Sequence, residues 1–148
     1  MENCTLEKLC LKILLHNFLG VYPSDQLPNA PKGKSFSLII NLDTHTEPGS
    51  HFVAVFFDKK KIEYFDSYGL PPFVPKIKNF LKSVKKNFCW NNICIQSYTS
   101  LHCGLYCLAY LLGKDYNITM KKFVELFNEN TLENDEIVNF FIISFLKK

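Results

Sequence analysis

Residues 95–112 read IQSYTSLHCGLYCLAYLL. From Cys103 to Leu112 this stretch is apolar nearly all round, which is the pattern of a helix buried inside a domain and not of a surface helix with one wet face. Gly113 follows directly and is expected to end the helix. Ahead of it, Ile93 to Gln96 reads as a short strand, with SYTSLH as a polar connection. A helix of this kind must be enclosed by a sheet and by other helices.

The sheet is found upstream. Phe36 to Leu42, Phe52 to Phe57 and Lys61 to Phe65 are short runs rich in β-branched and aromatic residues, and the last two flank a polar turn at Asp58, Lys59 and Lys60. They predict a sheet containing one hairpin. Leu6, Leu9, Cys10, Ile13, Leu14 and Asn17 or Phe18 recur at helical spacing and predict an amphipathic helix over residues 5–18, ending at Gly20. Residues 21–34, VYPSDQLPNAPKGK, carry three prolines and a glycine and read as a surface loop. After GLPP, the residues Phe73, Ile77, Phe80, Leu81, Val84 and Phe88 mark a second amphipathic helix, with Lys76, Lys78, Lys82, Lys85 and Lys86 on its outer face. Two further helices are expected near residues 120–128 and 134–146. No repeat or linker divides the chain, so residues 1–148 are read as a single α+β domain.

The 148 residues are 47% hydrophobic and 15% aromatic, with 21% charged, which excludes a disordered, low-complexity or collagen-like chain. All 17 basic residues are lysine, giving a net charge of +3. Lysine lacks the planar fork that reads guanine, so sequence-specific DNA recognition is not expected. The most apolar stretch, Ile137 to Leu146, is far short of the roughly 20 residues that cross a bilayer. The N-terminus places Glu2, Glu7 and Lys8 around a short apolar run with no small-residue cleavage site, which reads as a helix and not a signal peptide. An intracellular protein is expected, with its six cysteines as free thiols.

Cys103 opens the buried helix and is followed by Gly104, which lets other groups approach closely. A helix N-terminus favours a thiolate, through its unpaired amides and the positive end of its dipole. The plain alternative is a buried structural thiol. A nucleophile needs a base, and of His16, His45, His51 and His102 the best placed is His51, at the start of the strand FVAVFF. Asp66 ends the strand hairpinned to it and can orient the imidazole in one register. Gln96, seven residues before Cys103, can donate its amide to an oxyanion together with the Cys103 backbone amide. Each residue alone is unremarkable. The order His, Asp, Gln, Cys, with each at the boundary of an expected element, is specific.

GSHFVAVFF, IEYFDSYGLPP and IQSYTSLHCGLYCLAYLL resemble the three signature blocks of the adenovirus-type cysteine proteases, the adenain family, which are relatives of the ubiquitin-like-modifier proteases. The resemblance runs from about Phe18 to Leu112. It implies a papain-like fold with changed chain order. It also implies a site with Cys103 as nucleophile, His51 as base and then acid, Asp66 as its orienter, and Gln96 with the Cys103 amide as oxyanion hole. Two departures stand out: Phe52 replaces the Trp usual after the histidine, and Asp66 stands where the adenovirus enzymes carry Glu. The expected function is processing of viral capsid or core precursors at Gly-containing sites, in a virus, virophage or adenovirus-like transposon. The resemblance further implies no cofactor for the chemistry, DNA or a short viral peptide as activator, and a monomer that acts inside the host cell and is packaged in the virion.

Deconjugation of a ubiquitin-like modifier uses the same triad but needs a broad docking face. A non-enzymatic module would be expected to lose a triad member, and none is lost. Zinc is disfavoured because CWNNIC and HCGLYC do not form paired knuckles. The lysine face of the second helix reads as a solvated surface, with nonspecific phosphate contact as the alternative.

Overall fold

The computed structural model describes residues 1–14, 16–84 and 86–147. Its elements are, in order, α1 (Asn3–Ile13), β1 (Phe18–Pro23), β2 (Phe36–Asn41), β3 (Phe52–Phe57), β4 (Lys61–Phe65), α2 (Pro75–Ser83), β5 (Asn87–Trp90), α3 (Cys103–Asp115), α4 (Met120–Glu125) and α5 (Thr131–Leu146). The five strands form one mixed sheet in sequence order. β2, β3 and β4 are antiparallel neighbours, and β1 and β5 run parallel to β2 and β4 at the two edges.

Alternation along the strands explains the layering. Leu38, Ile40, Val53, Val55, Ile62 and Tyr64 face α2 through Ile77, Phe80 and Leu81. Ile39, Phe52, Ala54 and Phe65 face the opposite way, into a core built on α3 with contributions from α1, α4 and α5. Both sheet faces are therefore covered, and all six residues of β2 are buried. α3 is the central helix, with every residue from Tyr106 to Gly113 buried. The expected α+β class with a central mixed sheet and a buried helix is what the chain adopts.

Four expectations about the elements are corrected. The first helix stops at Ile13, Leu15 lies outside the described residues, and Phe18 belongs to β1. Gly20 has φ +141°, and a Cβ there would lie 2.5 Å from Glu7 Oε1. That same oxygen accepts the Val21 N–H at 3.0 Å, so the strand bends at Gly20 to tie itself to α1. Pro23 is tolerated because it ends an edge strand.

The second helix stops at Ser83, and Phe88 lies in β5, paired to β4. Of the lysines expected on its outer face, Lys76, Lys78 and Lys82 are exposed on α2, Lys86 is exposed beyond it, and Lys85 lies outside the described residues. No strand forms at residues 93–96. The Ile95 and Gln96 N–H groups both donate to the Ser67 carbonyl, at 2.8 and 3.2 Å, so this segment crosses the end of β4 instead of pairing along it.

α3 continues through Gly113 to Asp115. It ends where Asn117, at φ +60°, takes the left-handed position: the Ile118 N–H reaches the Gly113 carbonyl and the Asn117 N–H reaches that of Lys114. Asparagine thus fills the role expected of glycine. The six cysteines are free thiols. Among the described residues no helix is long and apolar enough to cross a membrane.

Candidate active site

His51 immediately precedes β3, and its carbonyl accepts the Leu42 N–H at 2.9 Å, which extends the β2–β3 ladder by one residue. Its ring is largely buried, with 11% of the side chain exposed, and Nε2–H donates to Asp66 Oδ1 at 2.7 Å. Nδ1 is thereby left for the Cys103 thiol, which is close enough to the ring for each group to shift the other's titration.

Asp66 is fully buried just beyond β4. Its backbone is clamped by Asn91, whose Oδ1 accepts the Asp66 N–H at 3.0 Å and whose Nδ2 donates to the Asp66 carbonyl at 2.6 Å. Oδ1 accepts a second bond from the Tyr68 N–H at 2.8 Å, which fixes the carboxylate in place. Oδ2 is buried without a hydrogen-bond partner among the described residues. A buried carboxylate satisfied on one oxygen only is compensated chiefly by a cationic imidazolium beside it.

Cys103 is the first residue of α3 and is 8% exposed. Burial alone would raise its pKa. The hydrogen bond from His51, its charge, and the N–H groups of Phe52 and Gly104 outweigh that and hold the thiol below its ordinary value. Burial likewise opposes the charged form of His51, but Asp66 and Cys103 raise it to about 9. Each shift favours the charged form of the other group, drawing the thiol and the imidazole toward a thiolate–imidazolium pair. Gly104 serves packing rather than a ligand: a Cβ there would come within 3.1 Å of Leu6 Cδ2 on α1.

Gln96 is fully buried. Its Oε1 accepts from the Ser67 hydroxyl, and its Nε2 donates to the carbonyl and hydroxyl of Ser100 at 3.2 and 3.1 Å. The segment that carries it is held from α5: Asn134 Nδ2 donates to the Ile95 carbonyl at 3.0 Å, and Asp135 Oδ1 accepts the Ser97 N–H at 3.4 Å. The Tyr106 hydroxyl donates to the same Asp135 oxygen at 2.7 Å, locking α3 to α5 beneath the site.

The other histidines are elsewhere. His45 is exposed and pairs with Asp25. His102 precedes α3 and supplies the carbonyl for its first helical bond, to the Tyr106 N–H. His16 bonds Asp115 and Ser37 at the opposite end of α3 from Cys103, and Ser37 is fully buried, so that trio ties elements together and offers no open nucleophile. A cleft of about 740 Å³ opens over Cys103, with Phe52, Tyr68, Tyr98, Leu101 and Asn3 among its walls.

Ser67, Asn91, Asn134, Asp135 and Tyr68 support this site and were missed in the sequence. Only Tyr68 left a signal. The β3–β4 register pairs Ala54 with Phe65 and Val55 with Tyr64, and extending it past the strand ends sets His51 opposite Tyr68.

Gly69 has φ +75°, and a Cβ on it would lie 2.6 Å from the Ile93 carbonyl carbon and 2.7 Å from the Ile93 nitrogen. That contact is backbone to backbone and cannot yield by a rotamer change. Gly69→Ala is expected to destabilise the fold by about 2–3 kcal/mol, through left-handed strain plus displacement of the 91–96 segment. Chemical denaturation measures this, and a loss below about 0.5 kcal/mol, typical of a surface substitution, would contradict the packing described.

No protein-family model matches the chain. The cysteine protease of African swine fever virus is 32% identical over an alignment 104 positions long, which covers 61% of this chain and 37% of that protein. This chain therefore spans well under half the length of that relative. A crystal structure of the same viral protease, at 27% identity, superposes with a TM-score of 0.55 over 68% of this chain and 41% of the other. The SUMO protease Ulp1, with its catalytic cysteine oxidised to a sulfinic acid, gives a TM-score of 0.55 over 99% of this chain and 78% of its own, at 16% identity. In sequence the chain is a relative of a viral cysteine protease, and its fold is the one that this protease shares with a ubiquitin-like-modifier protease.

Proposed function

We propose that residues 1–148 act as one cysteine endopeptidase domain that cleaves viral structural precursor proteins at Gly-containing sites. The observation that carries the reading is the buried His51 ring, joined on one nitrogen to Asp66 and set beside the thiol that opens α3. The Cys103 thiolate attacks the scissile carbonyl carbon, forming a C–S bond and a tetrahedral oxyanion held by the Gln96 amide and the Cys103 N–H. The intermediate collapses with cleavage of the C–N bond as His51 gives its proton to the leaving amine. Water, deprotonated by His51, then attacks the thioester, releasing the acid and restoring the thiol. Every group these steps use is a side chain or amide of the chain, so the chemistry calls for no cofactor. DNA on the lysine-rich surfaces and a short viral peptide are the activators to add in assays. The protein works as a monomer in the infected cell and within the particle.

Two experiments test this reading. A thiol-directed peptide warhead ending in Gly-Gly is expected to modify Cys103 alone, by intact mass and peptide mapping, and to fail in His51→Ala. Labelling spread over the other five cysteines in a folded protein would refute an activated nucleophile. The pH profile is the second. The reactive pair exists once Cys103 has lost its proton and until His51 loses its own. kcat/KM is therefore expected to rise at a pH below the ordinary thiol pKa and to fall near pH 9. A profile rising steadily through pH 9 would describe an ordinary thiol with no cationic partner.

The deconjugase alternative shares every atom of this mechanism and differs in its substrate. Cleavage of a folded modifier precursor, with short Gly-containing peptides left intact, would favour it.

A further inference from the structure

Three aromatic rings stand in a ladder over the candidate site. The rings of His51 and Tyr68 stack at a centroid distance of 4.7 Å and an interplanar angle of 19°, and those of Tyr68 and Tyr98 at 5.4 Å and 21°. The first contact lies beyond the end of the β3–β4 ladder, whose last pair is Ala54–Phe65, with Tyr68 in the turn closed by the Gly69 N–H on the Asp66 carbonyl. The second joins Tyr68 to the loop between Gln96 and Cys103. Tyr98 is 80% exposed, with its hydroxyl beside the Cys94 thiol, which donates to the Gln96 carbonyl at 3.3 Å. Tyr68 and Tyr98 also line the cleft that holds Cys103.

We propose that Tyr68 is a positioning residue for His51, its ring face holding the imidazolium in plane between Asp66 and Cys103, with Tyr98 covering its outer side. The proposal rests on the reading of His51 and Cys103 as the reactive pair. An aromatic face attracts a cation stacked on it more strongly than it attracts a neutral ring, so this contact favours the charged imidazole. The titratable groups acting on His51 are Asp66 after β4 and Cys103 at the start of α3. The Tyr68 hydroxyl stays neutral through the working range, because burial and the neighbouring Cys103 raise its pKa. Tyr68 also holds the carboxylate through its backbone N–H, which side-chain substitution leaves in place. The side-chain contribution is thus separable from the Asp66 clamp.

The test compares Tyr68→Leu, Tyr68→Phe and a chain carrying pentafluorophenylalanine at position 68, which keeps the ring's shape while inverting its charge distribution. The imidazolium pKa is read by NMR titration of His51, and Cys103 reactivity by the pH dependence of iodoacetamide modification, mapped to that residue. Tyr68→Leu and the fluorinated ring are expected to lower the His51 pKa by about half to one unit and to move the acid limb of Cys103 alkylation upward, while Tyr68→Phe leaves both in place. Tyr98→Ala is expected to give a smaller shift in the same direction. If Tyr68→Leu fails to fold, the fluorinated ring decides alone. Unchanged titration in the fluorinated protein, or a shift in Tyr68→Phe as large as that in the fluorinated protein, overturns the proposal. Neither readout requires turnover of a peptide. A shifted pair without hydrolysis therefore refutes the protease reading alone, and hydrolysis with an unshifted pair refutes the ladder alone.

Discussion

Cys103→Ala is expected to reduce peptide hydrolysis by about 10⁶-fold, to background, while the protein keeps its fold. The side chain removed is one sulfur at the first position of α3, where alanine is an excellent helix residue, and the helix stays anchored by Tyr106, Leu108 and Tyr110 in the core. What is lost is the atom that forms the bond to carbon. Cys103→Ser should be nearly as inactive, because the environment described lowers a thiol that titrates in the physiological range, and a hydroxyl lies many units higher. His51→Ala should fall to a similar floor, since groups that act as one unit do not add: with either removed, the remaining member has no task. The double variant should be no slower than the single ones. The measurement is single-turnover cleavage of a Gly-containing peptide alongside a thermal melt. Cleavage by folded Cys103→Ala above one part in a thousand of the parent would move the nucleophile elsewhere.

The parts of this fold legible in the sequence are those fixed by near neighbours. Phe52–Phe57 and Lys61–Phe65 were recoverable to the residue because β-branched and aromatic runs flank a three-residue polar turn, and the hairpin register follows from the turn. α3 was legible because a fully apolar stretch leaves no wet face. Among the misread elements are the two edge strands. β1 hides in a proline-rich stretch, and it is tied to α1 by Glu7, fourteen residues away, which takes the Val21 N–H. β5 has four residues, only Cys89 among them partly buried, and its Phe88 continues the helical spacing of α2. Nothing local tells Phe88 which pattern to join; the free edge of β4 does.

The same division holds for the site. His51, Asp66 and Cys103 each sit at an element boundary and Gln96 in the loop ahead of α3, all within recognisable blocks, so they could be named in order without coordinates. Their supports could not. Asn91 is an ordinary loop asparagine until the Asp66 backbone is placed against it, and Asn134 and Asp135 are ordinary polar residues early in a helix until Ile95 and Ser97 reach them from 39 and 38 residues away. Buried polar groups must be paired, but sequence does not say with whom. Tyr68 is intermediate: counting residues from the hairpin turn sets it opposite His51.

Gln96 is where geometry constrains function most sharply. Its amide can stabilise an oxyanion only if Nε2, and not Oε1, is available to the cleft. The Ser67 hydroxyl decides this: by donating to Oε1 it fixes which end of the amide faces Ser100. The two bonds from Nε2 to Ser100, at 3.2 and 3.1 Å, go to one residue and are long enough that one N–H can turn to a developing negative charge. Gln96→Ala is therefore expected to lower kcat by about 10²–10³-fold, worth about 2.7–4 kcal/mol of transition-state stabilisation, with KM nearly unchanged. Gln96→Glu keeps the shape but replaces the donor with an acceptor, and should fall at least as far. Ser67→Ala frees the amide to turn over and should cost about tenfold, the share of time the wrong end faces inward. Because Gln96 is fully buried, each variant is assayed well below its own melting temperature. If kcat survives Gln96→Ala within a factor of three, the Cys103 N–H stabilises the oxyanion without the glutamine, whose buried amide then serves only to join the Ser67 turn to the loop before α3.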